Sequence, residues 1–464
     1  AEAEAEATPA KTKTEEVTAA PHVPYVPKGH VPAVLTDELN DEFLELYGKG
    51  TPDNEVRVSV QRNDPNSPLY SMTSFSDLNL DPSVLRGLAK MGFLTPTKIQ
   101  EQCLPLMLGD KRENLVGQSQ SGTGKTVAFL LGMLGRIDWS LRKVQCICIL
   151  PTRDLAMQVC VPLRGIAQYT PLEISLAVNQ MDLGRPEDCT SQIIVGTPGT
   201  IQKFFKNLDL RNVRVCVIDE ADKMMERSMA TQVKRILSAC SRSARERPQV
   251  LLFSATFNQA TKSNIAAWAP GANQLFVEKD TDIIPKGIRH FYIDCRARAD
   301  GKETRLGTLS ELYKLMSVGK SLVFVNTVDS CIGLADWVVG QGHATSAMHG
   351  KLDVADRDRT LDDYRRGRTT VLVATDMLSR GIDIPSITLV VNFDVPSSGQ
   401  VSPLETYIHR VGRCGRFGRK GVAISLVHDA NSYNQLMSFK RDTGVDIDCV
   451  TLDNLEAEYE KWVK

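Results

Sequence analysis

The residues with the plainest chemistry lie at 117–126, which read Gly-Gln-Ser-Gln-Ser-Gly-Thr-Gly-Lys-Thr. A run of this kind turns backbone N–H groups inward around an anion, and glycine alone reaches the dihedrals and the close approach that this needs. Gly122 and Gly124 fill that role, and Ser119, Gln120, Ser121 and Thr123 line the same loop. Ser119 stands where the strict pattern has glycine and is small enough to be accommodated. Lys125 would neutralise terminal phosphate charge, and the Thr126 hydroxyl would be a magnesium ligand. Residues 127–136 are expected to form a helix whose positive N-terminal end faces the anion. The chemistry this predicts is binding of a nucleoside triphosphate.

Two further segments could complete a phosphoryl-transfer site. The β-branched run Val213–Ile218 ends in Asp219-Glu220-Ala221-Asp222. Asp219 would hold magnesium, directly or through water, and Glu220 would orient and polarise the attacking water, since phosphoryl transfer is mostly positioning and charge stabilisation. Far along the chain, 409–420 places arginines at 410, 413, 416 and 419, with Gly412, Gly415 and Gly418 between them. Guanidinium forks take phosphate oxygens two at a time. Arg413 and Arg416 are the expected arginine fingers.

These segments need rigid carriers, and the hydrophobic pattern supplies them. From about residue 114, short β-branched runs alternate with amphipathic stretches: Leu115-Val116, Gln145–Leu150, Gln192–Val195, Val213–Asp219 and Val250–Ser254, with helical segments such as 153–168 and 228–240 between them. That is the rhythm of a parallel sheet wrapped by helices. It breaks at 278–287 and restarts with Ser321–Val325, Ala344–Met348, Val371–Ala374, Thr388–Asn392 and Val422–Leu426. Two α/β units follow, with a short linker, and ligands expected beyond the carboxyl ends of their strands. Ahead of them, 1–33 has the composition of a disordered tail. Leu35, Leu39, Phe43, Leu46 and Tyr47 fall at helical spacing, giving an amphipathic helix over 34–48 that reads either as a packed accessory helix or as a movable regulatory one.

Composition narrows the class. The 464 residues carry a formal charge of −1, so any nucleic-acid binding must rest on local patches. No apolar run approaches the roughly 20 residues that span a bilayer, which argues against membrane insertion. Eleven scattered cysteines without a Cys-x-x-Cys pair suggest buried thiols in a reducing compartment. The acidic N-terminus has neither a secretory signal nor an Arg-rich transit peptide, which points to the cytosol or nucleus.

Taken together, these motifs resemble those of the DEAD-box ATP-dependent RNA helicases over about residues 70–464. Asp219–Asp222 spells the name-giving motif, and the others stand in order. Gly92-Phe93…Pro96…Ile99-Gln100 is similar to the Q motif, Pro151–Ala156 to motif Ia, Thr197-Pro198-Gly199 to Ib, Ser254-Ala255-Thr256 to III, Leu322–Thr327 to IV, Ala374–Asp376 with Ser379–Asp383 to V, and His409–Arg416 to VI. The resemblance implies two tandem RecA-like domains: an N-terminal extension at 1–72, an ATP-binding domain at 73–279, a linker at 280–287 and a second domain at 288–464. It implies ATP and Mg2+ as cofactors, Gln100 reading the adenine edge, Phe75 stacking on its face and Asp383 reaching the ribose. Ser254, Ala255 and Thr256 would couple nucleotide state to strand separation. RNA would be held by its backbone, without base reading, at Thr152, Arg153, Thr197, Gly199, Arg357 and Arg380. ATP and RNA would each favour the closed state and so raise each other's affinity.

A finer likeness, in Gln61–Ser71, in the insertion at 396–405 and in Ser119-Gln120-Ser121, is to the subfamily that remodels messenger ribonucleoprotein during export at the nuclear pore. It implies an RNA-stimulated ATPase that unwinds RNA locally, a monomer in cytoplasm and nucleus at the cytoplasmic face of the pore. It also implies a nucleoporin and an inositol-phosphate-dependent activator as partners, and inhibition by the helix at 34–48 or the stretch at 49–60. The alternatives are an ATP-dependent RNA clamp with slow turnover and a P-loop DNA helicase. The chain departs from the family pattern at Asp154 (usually Glu), at Val354 (commonly Gln), at Cys414 (commonly Thr), and at Asn179-Gln180, near where Gly-Gly is usual.

Overall fold

The computed structural model describes residues 58–61, 72–118, 123–179, 189–205, 208–225, 227–256, 259–277, 284–285, 287–296, 304–315, 319–376, 387–397, 402–415 and 420–463. The tail at 1–33 and the helix expected over 34–48 lie outside these residues.

The strand-like runs form two sheets. The first contains β1 (Val58–Gln61), β2 (Leu115–Gln118), β3 (Cys146–Ile149), β4 (Ile174–Ala177), β5 (Ile193–Gly196), β6 (Val215–Ile218), β7 (Gln249–Ser254) and β8 (Asn273–Val277), in the order β1-β8-β2-β7-β6-β3-β5-β4. Every pairing is parallel except that of β1 with β8. The second contains β9 (Ile288–Asp294), β10 (Lys320–Phe324), β11 (Thr345–Met348), β12 (Val371–Ala374), β13 (Ile387–Asn392), β14 (Gly421–Val427) and β15 (Ile447–Cys449), in the order β11-β12-β10-β13-β14-β9-β15 and parallel throughout.

Strands covered on both faces need apolar side chains at every position, which is why β3 and β5 read as unbroken runs rather than alternating ones. Along β3 the side chains divide: Cys146 and Cys148 enter one core, Ile147 and Ile149 the other. The second sheet divides in the same way at β13, with Val390 on one side and Leu389 and Val391 on the other. Each sheet is thus the middle layer between two layers of helices, as expected for tandem RecA-like domains. All eleven cysteines are free thiols, nine of them buried, with Cys189 half-buried and Cys449 exposed. Burial pushes the Cys160 thiol up to about 12, so it packs as a small hydrophobe. No helix among the described residues is long and apolar enough to cross a membrane.

Two boundaries differ from the sequence reading. Val58–Gln61, expected within the N-terminal extension, is an edge strand of the first sheet. Four residues flanked by polar chain, pairing with a strand more than 200 positions away, leave no local signal. Ile284, expected in the linker, is buried in the core of the second lobe together with Ile288.

The sheet order positions the chemistry. β2, β7, β6 and β3 are consecutive neighbours, and their carboxyl ends lead into Gly124-Lys125, Ala255-Thr256, Asp219–Asp222 and Thr152-Arg153. All four motifs therefore emerge on one rim of the first lobe.

Candidate nucleotide site and inter-lobe seam

Gly124 closes the phosphate loop in the left-handed region, at φ 94°, and caps the helix Lys125–Leu134. A Cβ here would lie 2.6 Å from Gln100 Nε2 and 3.1 Å from Thr97 Oγ1, so both backbone and neighbours demand glycine. Those neighbours hold the loop from beneath. Gln100 Nε2 donates to Gly124 O at 2.9 Å, and Thr97 Oγ1 donates to Thr123 O at 2.9 Å. Gln100 Oε1 accepts from Thr97 N at 2.9 Å. Both ends of the Gln100 amide, expected to read an adenine edge, are therefore engaged by protein. Phe75, expected to offer a stacking face, packs with the apolar core of the first lobe. Ser119, Gln120, Ser121 and Gly122 lie outside the described residues.

At the end of β6, Glu220 takes φ 50° and ψ 50°, a left-handed conformation that costs a non-glycine residue roughly 1–2 kcal/mol. Its carbonyl is held by Lys223 N at 3.0 Å and Met224 N at 3.2 Å. This bend keeps three acids close together and buried: Asp219, Glu220 and Asp222. Burial, and then the neighbouring Glu220 charge, push the Asp219 carboxyl well above the usual carboxylate range, while Lys125 pulls the other way. Glu220 Oε2 is buried without a hydrogen-bond partner among the described residues. An unbonded buried carboxylate oxygen beside a second crowded carboxylate is costly unless a cation relieves it. The hard oxygen donors of Asp219 and Thr126 fit a magnesium ion carried with a triphosphate.

Asp222 reaches the other lobe. Its Oδ2 accepts from Thr256 Oγ1 at 2.9 Å and lies 3.1 Å from His409 Nε2. Glu220, Asp222 and His409 are close enough to hold a metal ion, but these two contacts already occupy Asp222 Oδ2. Within the coupling motif, Ser254 Oγ accepts from Thr256 N at 3.3 Å, and Ala255 O accepts from Gln118 Nε2 at 3.3 Å. Gln118 thus ties the root of the phosphate loop to the coupling motif. Its place at the start of the glycine-rich run gives no sign in the sequence of this second role.

His409 and Arg410 ride on the helix Pro403–Val411, and Arg413 lies just past its end. Arg413 is buried, with Nε donating to His409 O at 3.1 Å. Arg410, the first of the ladder, turns inward and is fully buried. It donates to Asp376 Oδ1 at 2.5 Å, Asp394 O at 2.7 Å and Asn326 Oδ1 at 2.8 Å, and packs over Phe324. It joins three of the second lobe's motifs, which spacing alone did not distinguish from phosphate contact. Cys414 is also buried, its Sγ directed at Val411 O and Val422 O, so this departure from the family pattern faces the core. Arg416, Asp383 and Arg380 lie outside the described residues.

The expected RNA positions gather on the same rim. Thr152 caps the helix Arg153–Ile166, accepting from Leu155 N, and Thr197 stands at the N-cap position of the helix Pro198–Phe204 without a side-chain capping bond. These helices follow the paired strands β3 and β5, so two helix N-termini lie side by side, an arrangement suited to phosphates. Gly199 has room for a side chain, with Gln232 the nearest neighbour at 3.7 Å. Across the seam, Arg357 Nη2 donates to Gly350 O at 2.9 Å. Arg153 departs from the simple expectation: its Nη1 is ion-paired with Asp358 Oδ1 of the second lobe at 2.6 Å. Asp154 beside it has its carboxyl raised by burial, an effect that Arg153 opposes.

Fold and site together define a two-lobed P-loop protein with a nucleotide site at the seam. Residues 97–264 match the model of the DEAD/DEAH box helicase family, and 304–418 match the helicase conserved C-terminal domain. The chain is 40% identical over 445 residues to the ATP-dependent RNA helicase DBP5 of Saccharomyces cerevisiae, covering 94% of this chain and 89% of that one. It is 41% identical over 416 residues to the protein of the same name from Candida albicans, covering 88% and 75%. Among solved structures, Saccharomyces cerevisiae Dbp5 bound to RNA and ADP BeF3 superposes with a TM-score of 0.78 at 38% identity, covering 85% of this chain and all of that one, 100%. A Dbp5 variant bound to Nup159, Gle1, IP6 and ADP gives 0.61 at 37% identity, covering 83% and 99%. The chain belongs to the DEAD-box helicases.

Proposed function

We propose that this protein is an RNA-stimulated ATPase that unwinds RNA locally and remodels messenger ribonucleoprotein during export, at the cytoplasmic face of the nuclear pore. The observation that carries the catalytic part is the Thr256–Asp222–His409 contact, which joins the acidic end of β6 to the arginine-bearing helix of the other lobe. A carboxylate cluster that meets the second lobe's His409 across the seam makes phosphate chemistry depend on closure. The export part rests on likeness to Dbp5, solved with RNA, with Nup159 and with Gle1 and IP6. By that likeness a nucleoporin and an inositol-phosphate-dependent activator are the partners.

In this reading the first lobe, about 73–279, holds ATP and the second, about 288–464, completes the site. Lys125 takes the terminal phosphates, Thr126 and Asp219 hold magnesium, and the metal supplies charge neutralisation when bound. Glu220 orients the attacking water and accepts its proton at the free Oε2. Arg413 and Arg416 stabilise charge on the transferring phosphoryl group. Thr152, Thr197, Gly199, Arg357 and Arg380 hold the RNA backbone. The deciding experiment is steady-state phosphate release by the purified chain with and without single-stranded RNA. A rate that rises with RNA is expected. A flat, negligible rate leaves an RNA clamp, and equal stimulation by DNA of the same sequence removes the RNA assignment.

A further inference from the structure

The ion pair between Arg153 and Asp358 joins the lobes at a place separate from the Asp222–His409 contact. Arg153 follows β3 and Asp222 follows β6, and these strands are neighbours in the first sheet. One contact leaves a pair of lobes free to pivot about it in every direction, whereas two at adjacent strand ends restrict the pivot to the line that joins them. The pair is tight at 2.6 Å, with the side chains only 16% and 19% exposed. Asp358 sits on the helix Val354–Arg365, one position after Arg357. Asp358 engages Arg153 Nη1, and the side chain keeps 16% exposure, at which the rest of the fork can meet an anion.

We propose that Asp358 is a positioning residue: by taking the Arg153 guanidinium across the seam, it sets the rotation at which the two lobes close and the direction in which Arg153 meets an RNA phosphate. The inference rests on the RNA-stimulated reading above and deepens it. A carboxylate would repel an RNA strand in the open, but it attracts one indirectly by aligning a cation that belongs to the opposite lobe.

The test uses the full chain with one fluorophore on each lobe, a non-hydrolysable ATP analogue and an oligouridylate. Replacing Asp358 by Ala, or by the isosteric Asn, should raise the RNA concentration for half-maximal closure about tenfold, the range between an exposed and a buried charge pair. RNA-free phosphate release and the melting temperature should stay unchanged. The exchange Arg153→Asp with Asp358→Arg should recover closure relative to either single change. Closure at the wild-type RNA concentration in Asp358→Ala overturns the proposal. So does tighter RNA binding, which would make Asp358 a competitor of phosphate, and so does a double exchange no better than the singles. A wild-type chain that neither closes nor hydrolyses faster with RNA sinks the functional reading itself, and this inference with it.

Discussion

In the first lobe the acids of the site are crowded by burial: Asp219 is raised by its surroundings, and Glu220 has an oxygen without a partner among the described residues. In the second lobe there are cations held firmly in place: Arg410 has three acceptors, and Arg413, just past the helix Pro403–Val411, bonds back to His409 O. One lobe holds crowded acids and the other presents braced arginines at the end of the helix Pro403–Val411. Neither is a complete site, so the seam is where the chemistry is assembled, and rigidity on one side is as necessary as strain on the other.

The contrast can be broken at several points. Glu220→Gln keeps the left-handed turn and the shape but removes the proton acceptor. ATP turnover should fall by roughly 10²–10⁴-fold with nucleotide and RNA binding retained, and unchanged phosphate release would end the role given to Glu220. Arg410→Ala attacks the bracing, removing the donor that Asp376 Oδ1, Asn326 Oδ1 and Asp394 O share and the packing over Phe324, and should cost the second lobe about 1–3 kcal/mol in denaturant unfolding. If the lobe unfolds where the wild type does, Arg410 is no brace.

Acid should separate the lobes. The chain has no histidine between residues 31 and 289, so the described first lobe has none. In the second, burial and then the Arg289 charge hold His290 down to about 3, and Tyr407 lies 2.9 Å from its Nδ1. Folded His290 is neutral where the unfolded residue takes a proton, so its stabilisation is complete above roughly pH 6.5 and falls as pH drops toward 3, by about 1.4 kcal/mol per unit. At roughly pH 5 the second lobe should have lost about 2 kcal/mol, and His290→Gln should flatten that slope. An equal slope in the mutant assigns the acid sensitivity elsewhere. The smallest effect concerns the residues ahead of the core. Removing 1–57 should raise RNA-stimulated turnover a few-fold if that segment restrains the seam, and an unchanged rate with the core folded discards the idea.

The sheets were legible because strands covered on both faces must be apolar throughout, as in Cys146–Ile149 and Ile193–Gly196. The phosphate loop and the acids of β6 were legible because their chemistry admits few residue types. Asp358 was not, since a carboxylate on a helix as charged as Val354–Arg365 looks like any solvated one until its partner from the other lobe is in place. Phe75 and Gln100 show the converse. Their places in a motif were plain, but motif membership does not say whether a ring lies in the core or an amide is engaged by a backbone carbonyl.

Strand β1 carries a practical lesson for anyone trimming this chain. It lies along the rim of the first sheet, where β8 would otherwise present bare amides and carbonyls to any passing strand. A cut made at residue 60 instead of 57 strips away three of its four rungs. The shortened protein would then be prone to clumping in concentrated solution, and a fall in soluble yield could be mistaken for a regulatory effect.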